Sequence, residues 1–341
     1  MRKESKMKRT SFLYIMLTLC LLLCLTGCSE KPVTKQIFAM DTYMELTTYG
    51  DKAEVALTDV IHTINQYALQ LDPEVESSAV HALNHAEGSE VTLDPAIVDM
   101  LTVAKQVWEQ TNGALDLTVY PIVKAWGFID SAHTVPTAAE VEQLKTVPCF
   151  GDVNIDIHTV TMPAGTEISF GAVAKGAMAE RSKLILGDYG IKHAFLSLGG
   201  NVQTIGTKPD GSLWRIGVQD PNNLSGHLGI VSVGEMAVVT SGSYQRYFEQ
   251  NGKLYHHIID PATAAPAESG LLSVTILCES GTMADALSTA MFILGEEAAL
   301  DYWRTYGGFD MILVTEDNRV VVVGEVEFEE TTDSYTYEYI K

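Results

Sequence analysis

The sequence predicts an α+β fold of mixed, largely antiparallel sheets with flanking helices. Three observations carry this. Apolar residues recur at helical spacing over residues 55–71, 97–108 and 283–306, whereas residues 194–277 contain stretches that alternate with a period of two. The dipeptides Asp210-Gly211 and Asn251-Gly252 punctuate the alternating region as turns, the second at hairpin spacing. No repeat, low-complexity segment or long linker divides the chain. At 341 residues, with 46% hydrophobic and 19% charged, it is globular and long enough for a large core.

The elements follow in order. Arg2, Lys3, Lys6, Lys8 and Arg9 precede an apolar run over residues 12–25 that closes on Leu25-Thr26-Gly27-Cys28. This order predicts an export signal over residues 1–27 rather than a retained span. LTGC resembles the bacterial lipobox, which implies cleavage before Cys28 and a lipid on its sulfur. Residues 28–36 then form a tether and residues 37–341 the functional domain. Residues 38–48 alternate as a strand. Val55, Val60, Ile61, Ile64, Tyr67, Ala68 and Leu71 mark an amphipathic helix. A second helix has Asp94 as N-cap, Pro95 at its first position and Ile97, Met100, Leu101, Ala104, Val107 and Trp108 as its apolar face; Gly113 ends it. Thr137 and Glu140 form a capping box for a short third helix. Residues 172–187 are helical, with small residues in the first turns. Strands are expected at 194–198, 213–218, 228–233 and 271–277, and a hairpin pairs 244–250 with 253–259. Helices at 283–294 and 296–306 and a strand pair at 311–314 and 320–323 complete the pattern.

The formal charge of −22 falls to −26 once the leader takes away five basic residues and Glu4. Such acidity excludes nucleic acid as a partner and electrostatic adhesion to anionic lipid. Membrane attachment would rest on the acyl anchor alone. An anionic substrate would need a metal or a local cation to offset the surrounding field. Cys20 and Cys24 leave with the leader, so Cys149 and Cys278 remain, expected as free buried thiols.

Five stretches can carry chemistry. In "SGTMADALSTAM", Asp285 and Thr289 are four residues apart on one helix face, which offers two hard oxygens to Mg²⁺; it equally suits a helix-dipole Asp beside a packed Thr. In "SFGAVAKGAMAE", small residues leave backbone amides bare where a helix begins, and Lys175 adds a charge, as a phosphate would need. Close helix packing explains the same residues. Neither a Walker loop nor a GxGxxG fingerprint is present. Gly199-Gly200-Asn201 marks a bulge or a close backbone approach. In "GALDLTVYPIVKAWGF", Asp116 follows a helix, and Trp126 and Phe128 are core residues or line a ring pocket. In "HHIIDPATAAP", His257 and Asp260 form a base with its orienting carboxylate, or an Asx turn beside a half-buried His.

Taken in order, these stretches resemble the ApbE-type flavin transferases, the FAD:protein FMN transferase family. "FAMDTYM", "SSAVHALN", "GALDLTVYPIVKAWGF", "SFGAVAKGAMAE", "LGGN", "WRIGVQDP", "TSGSYQRYF", "HIIDPATAAP" and "ADALSTA" are each similar to a block of that family, from Phe38 to about Gly295. The chain departs from the family at Asp41, where Gly is usual, at Ser169 for an Asp, at Ala264-Ala265 for a Gly-aromatic pair, and at Glu74 for an aromatic residue. The resemblance implies an ApbE-like fold and transfer of FMN from FAD to a Thr or Ser hydroxyl, with release of AMP. The acceptor would be a flavoprotein subunit of a membrane-associated redox system, met at the extracytoplasmic face of the membrane. It implies Mg²⁺ held by Asp285, Thr289 and the Ala172 carbonyl. Lys175 would offset phosphate charge, and Met40, Glu74, Ala114, Leu115, Asp116, Ser169 and His257 would contact FAD. His257 is the expected base and Asp260 its support. A lipid-anchored FAD-binding protein, or a pyrophosphatase giving FMN and AMP, are the alternatives.

Overall fold

The computed structural model describes residues 31–147 and 149–341; the export leader and Cys28 lie outside the described residues. Its main sheet has nine strands, and their order across the sheet is their order along the chain. They are β1 (Pro32–Ala39), β2 (Thr42–Tyr49), β3 (Ala194–Leu198), β4 (Asn201–Ile205), β5 (Ala237–Gly242), β6 (Leu271–Cys278), β7 (Asp310–Thr315), β8 (Arg319–Val323) and β9 (Thr336–Ile340). Neighbours are antiparallel throughout except β8 with β9, which are parallel. The helices are α1 (Ala53–Gln70), α2 (Ala79–Asn84), α3 (Pro95–Gln110), α4 (Tyr120–Ala125), α5 (Ala138–Leu144), α6 (Ala174–Asp188) and α7 (Gly281–Tyr306). The long α7 is broken at Gly295, whose φ of 79° lies outside the helical region, so the expected pair of helices is present.

Alternation along the strands divides the interior in two. Met311, Leu313, Val321 and Val323 pack with α1, α3, α6 and α7, whereas Ile312, Val314, Val320 and Val322 pack against a three-stranded sheet of Trp214–Asp220, Asn223–Val233 and Phe328–Glu330. A third, smaller cluster gathers Ile122, Trp126, Phe128, Phe248, Ile259 and Ala264. The helix signals act as read. Asp94 accepts from the Ala96 amide, and Thr137 and Glu140 form the reciprocal box. Gly113, at φ 89°, donates its amide back to Trp108. Val55, counted in the apolar face of α1, is exposed.

Several expectations change. Residues 38–48 are a hairpin, turned at Met40-Asp41 with φ of 50° and 58°, as a two-residue type I′ turn requires. Residues 32–36, expected in the tether, pair with β2 as the start of β1. The 244–259 stretch is interrupted: Tyr247–Gln250 pairs with Lys253–His256, then Ile259–Asp260 pairs with Ala265–Pro266. Strand β4 shows no alternation because each of its residues is buried, with a sheet neighbour on either side. Of the two free thiols, Cys278 is buried but Cys149 only half-buried. No helix among the described residues is long and apolar enough to cross a membrane.

Helices α6 and α7 cross at bare backbone. A Cβ on Gly176 would sit 2.1 Å from the Gly281 carbonyl oxygen and 2.6 Å from Asp285 Cβ. Next to this crossing, Glu180 of α6 accepts from Ser280 Oγ at 2.8 Å and from the amide and hydroxyl of Thr282, capping α7. Gly176→Ala should therefore lower unfolding free energy by about 1–3 kcal/mol, the usual cost of overpacking. A urea midpoint equal to that of the wild type would refute the close crossing.

Candidate active site

A cavity of about 590 Å³ opens where the β1–β2 and β3–β4 turns meet the starts of α6 and α7. That volume is in the range of small-molecule and cofactor sites. Gly199 and Gly200, at φ 62° and 93°, form the β3–β4 turn, and a Cβ on Gly199 would strike Thr42 at 2.2 Å. The expected close backbone approach thus exists, as a turn rather than a bulge. The Gly199 amide donates to the Tyr43 carbonyl at 3.1 Å, so the two turns brace each other on the cavity wall.

Asp285 and Thr289 both line the cavity from the first half of α7. Asp285 is 3% exposed, and its Oδ2 accepts from the Gly176 amide at 2.8 Å. Gly176 is in the first turn of α6, where amides have no intrahelical acceptor, and Asp285 caps it; Ala172, on the cavity wall ahead of the helix, has a carbonyl that no described backbone donor takes. Thr289 Oγ1 lies 3.3 Å from Ser241 Oγ of β5. One carboxylate, one hydroxyl and one free carbonyl are hard oxygens suited to Mg²⁺, which completes its shell with water and phosphate. The donor set fits the implied metal. Lys175 lines the same wall, one residue before Gly176, with no ion pair among the described residues.

His257 follows the Lys253–His256 strand and faces the cavity. Its Nδ1 is 3.2 Å from the Arg246 carbonyl oxygen. A carbonyl only accepts, so Nδ1 carries the proton and Nε2 keeps its lone pair. Burial first, then the nearby Arg246 and Lys175 charges, push its pKa down to about 3. Its neighbour His256 is structural: Nε2 donates to the Ala267 carbonyl at 3.0 Å, Nδ1 accepts from the Ile258 amide, and burial lowers its pKa.

Two expected placements need correction. Asp260 does not orient His257. Its Oδ1 accepts from the Ala262 amide at 2.9 Å as an Asx turn, and Asp260 is absent from the cavity wall. The turn it caps continues to Ala264, at φ 54°, whose carbonyl accepts from Trp126 Nε1 at 2.9 Å. Glu74 is also away from the cavity: it accepts from Tyr120 Oη at 2.5 Å and Lys124 Nζ at 3.2 Å, and these bonds hold its carboxyl below the usual range. Asp116 does line the cavity, but its oxygens are occupied by the amide and hydroxyl of Thr118, Trp108 Nε1 and the Phe150 amide. These bonds shape the loop that carries it on the wall, and burial pushes its carboxyl up. Met40, Ala114, Leu115 and Ser169 line the cavity as expected; Phe128 belongs both to the wall and to the third core cluster. Residues that sequence reasoning missed are Ser241, which links β5 to Ser288 and Thr289 of α7, and Arg246, whose guanidinium donates to the Phe128 carbonyl at 2.7 Å. Their only signal was the "TSGSYQRYF" block.

A cavity of this size, walled by a helix N-terminus, a lysine and a set of hard oxygens on an α+β scaffold, has the make-up of a nucleotide site. The chain belongs to the ApbE family, whose model matches residues 40–313. It is 32% identical over 287 residues to the FAD:protein FMN transferase of Treponema pallidum, covering 79% of each chain. It is 31% identical over 274 residues to that of Klebsiella pneumoniae, covering 79% of this chain and 85% of the relative. The crystal structure of the ApbE protein of Thermotoga maritima matches with a TM-score of 0.79 at 29% identity, over 88% of this chain and 97% of that one. Pseudomonas stutzeri flavinyl transferase ApbE in its apo form matches with a TM-score of 0.77 at 26% identity, over 91% and 97%.

The depressed pKa of His257 has a stability consequence. Unfolded histidine titrates near 6.5, so between that pH and about 3 the unfolded chain binds the extra proton. Stability contributed by neutral His257 is complete above pH 6.5 and is lost as pH falls through this window. Buried His256 acts with the same sign. His257→Gln should flatten the decline of unfolding free energy between pH 6.5 and 4; an unchanged slope would refute the depressed pKa.

Proposed function

We infer that this ApbE-family chain is an FAD:protein FMN transferase, with FAD as substrate and a protein hydroxyl as acceptor. The observation that carries it is the placement of the Asp285, Thr289 and Ala172 oxygens, Lys175 and a neutral His257 on the wall of one cavity. The names of the Treponema and Klebsiella relatives support it.

Phosphoryl transfer asks a protein for positioning and charge neutralisation more than for covalent help. The bare start of α6 and Lys175 bind and orient the pyrophosphate of FAD. Asp285, Thr289 and the Ala172 carbonyl would hold Mg²⁺, which when bound neutralises charge on the phosphate oxygens. His257 Nε2 accepts the proton of the acceptor Ser or Thr hydroxyl. The hydroxyl oxygen bonds to the phosphorus of the FMN moiety, the bond from that phosphorus to the bridging oxygen breaks, and AMP departs with that oxygen. Burial and two flanking cations make His257 a weak base in the free protein; anionic FAD beside Lys175 and Arg246 offsets those charges and raises its basicity.

Asp285→Ala should abolish metal-dependent release of AMP from FAD. His257→Ala should bind FAD normally yet lose covalent transfer. Incubation of the full-length protein with FAD, Mg²⁺ and a Ser/Thr-bearing acceptor domain separates the readings by product: flavin bound to the acceptor, free FMN with AMP, or intact FAD. Either of the last two overturns transfer.

We also propose that the chain works at the extracytoplasmic face of the bacterial membrane, held by lipid on Cys28, where it meets the flavoprotein subunit of a redox system. The LTGC sequence after an apolar leader supports this. Cys28→Ala should move the protein from the membrane fraction to the soluble one; retention would refute the anchor.

A further inference from the structure

The solvent face of the β1–β2 hairpin changes character at the mouth of the cavity. Along the strands the facing pairs are polar: Thr34 and Thr47 hydroxyls lie 2.9 Å apart, and Gln36 Nε2 donates to Glu45 Oε2 at 2.7 Å. The last pair before the turn is Phe38 opposite Tyr43, edge-on with centroids 5.1 Å apart and 61% and 80% exposed. Met40, Asp41 and Thr42 of the turn between them line the cavity. Leu224 and Ile129 also line it, and both are exposed. The exposed aromatic pair is therefore joined to the cavity wall by the turn between its two strands.

A cross-strand aromatic pair is worth about 0.2–1 kcal/mol to a hairpin. This hairpin is already fixed by its pairing with β3 and by the Gly199 amide on Tyr43, so two rings left in water call for another reason. We propose that Phe38 and Tyr43, with the exposed cavity-lining Leu224 and Ile129, form the docking surface for the acceptor segment that presents the Ser or Thr hydroxyl. This rests on the transferase reading: a hydroxyl on a polypeptide reaches the cavity only if its flanking residues cross this surface. The acceptor residues that meet the two rings are apolar; Asp41 is exposed in the turn that joins the two strands. A lipid surface fits less well. The chain enters β1 at Pro32, at the opposite end of the strand from the rings, about 20 Å away by strand rise. Glu45 and Asp41 flank the pair and repel anionic headgroups.

The test is Phe38→Ser with Tyr43→Ser in the full-length protein, using FAD, Mg²⁺ and a soluble Ser/Thr-bearing domain of a covalently flavinylated redox subunit. The expected result is a KM for the acceptor raised at least tenfold, kcat within about threefold, and FAD affinity and melting temperature unchanged. The milder Phe38→Leu with Tyr43→Phe should restore most of the KM. An unchanged KM overturns the docking surface. So does a raised KM accompanied by weaker FAD binding or a lower melting temperature, which would make the pair structural. Loss of co-sedimentation with phosphatidylglycerol-containing vesicles at unchanged KM would assign the rings to a membrane instead. Wild-type protein that binds FAD and Mg²⁺ but labels no acceptor would fail the transferase reading itself, independently of the variant.

Discussion

The approach of α6 to α7 at Gly176 and Gly281 is the contact from which the cavity follows. With a side chain at neither position, the two backbones come close enough for the Gly176 amide to reach Asp285. That one hydrogen bond caps the first turn of α6, fixes the buried carboxylate and brings it close to Lys175. A glycine in a helix costs roughly 0.5–1 kcal/mol relative to alanine. The loss is offset locally by Glu180, which satisfies the first donors of α7 from the flank of α6.

On the other wall, Arg246 has a comparable role in three ways. Its carbonyl selects the tautomer of His257, its guanidinium ties down Phe128, and its charge helps keep the imidazole neutral. The third core cluster supports this wall: Trp126 holds the turn at Ala264, and Phe248 and Ile259 pack beneath it. An acidic protein thereby presents two cations, Lys175 and Arg246, beside a histidine whose pKa is pushed down, an arrangement that net charge alone would never suggest.

Much of this was legible in the sequence where a residue's local partners decide its conformation. Asp94, Thr137 with Glu140, and Gly113 are read from neighbours a few positions away, and they behave as read. Asp285 with Thr289 was visible because helical spacing alone puts them on one face. The hairpin at Met40-Asp41 was missed because Met seldom takes positive φ and no Gly follows Asp41; the turn is imposed by the pairing of β1 with β2 and by Gly199 packing on Thr42. Strand β4 was hidden because burial on both faces erases alternation. Asp260 was assigned to His257 from proximity in sequence, yet its carboxylate closes its own turn, and the true partner is a backbone carbonyl eleven residues upstream. Main-chain acceptors have no sequence signature, so the support of a histidine by one cannot be read in advance.

The main sheet adds its strands in chain order, but not at even intervals. After the β1–β2 hairpin, well over a hundred residues intervene before β3 arrives to pair with β2, and the metal-type donors on α7 come later still. The cavity draws on both extremes of this span, from Met40 to Ile293. A chain still being synthesised therefore has no partial version of the pocket to offer a nucleotide. Ligand binding selects only the finished molecule, and free ligand stabilises that state alone by mass action. In a compartment with proteases, occupancy by the flavin nucleotide would mark completed chains for survival and leave arrested ones unprotected.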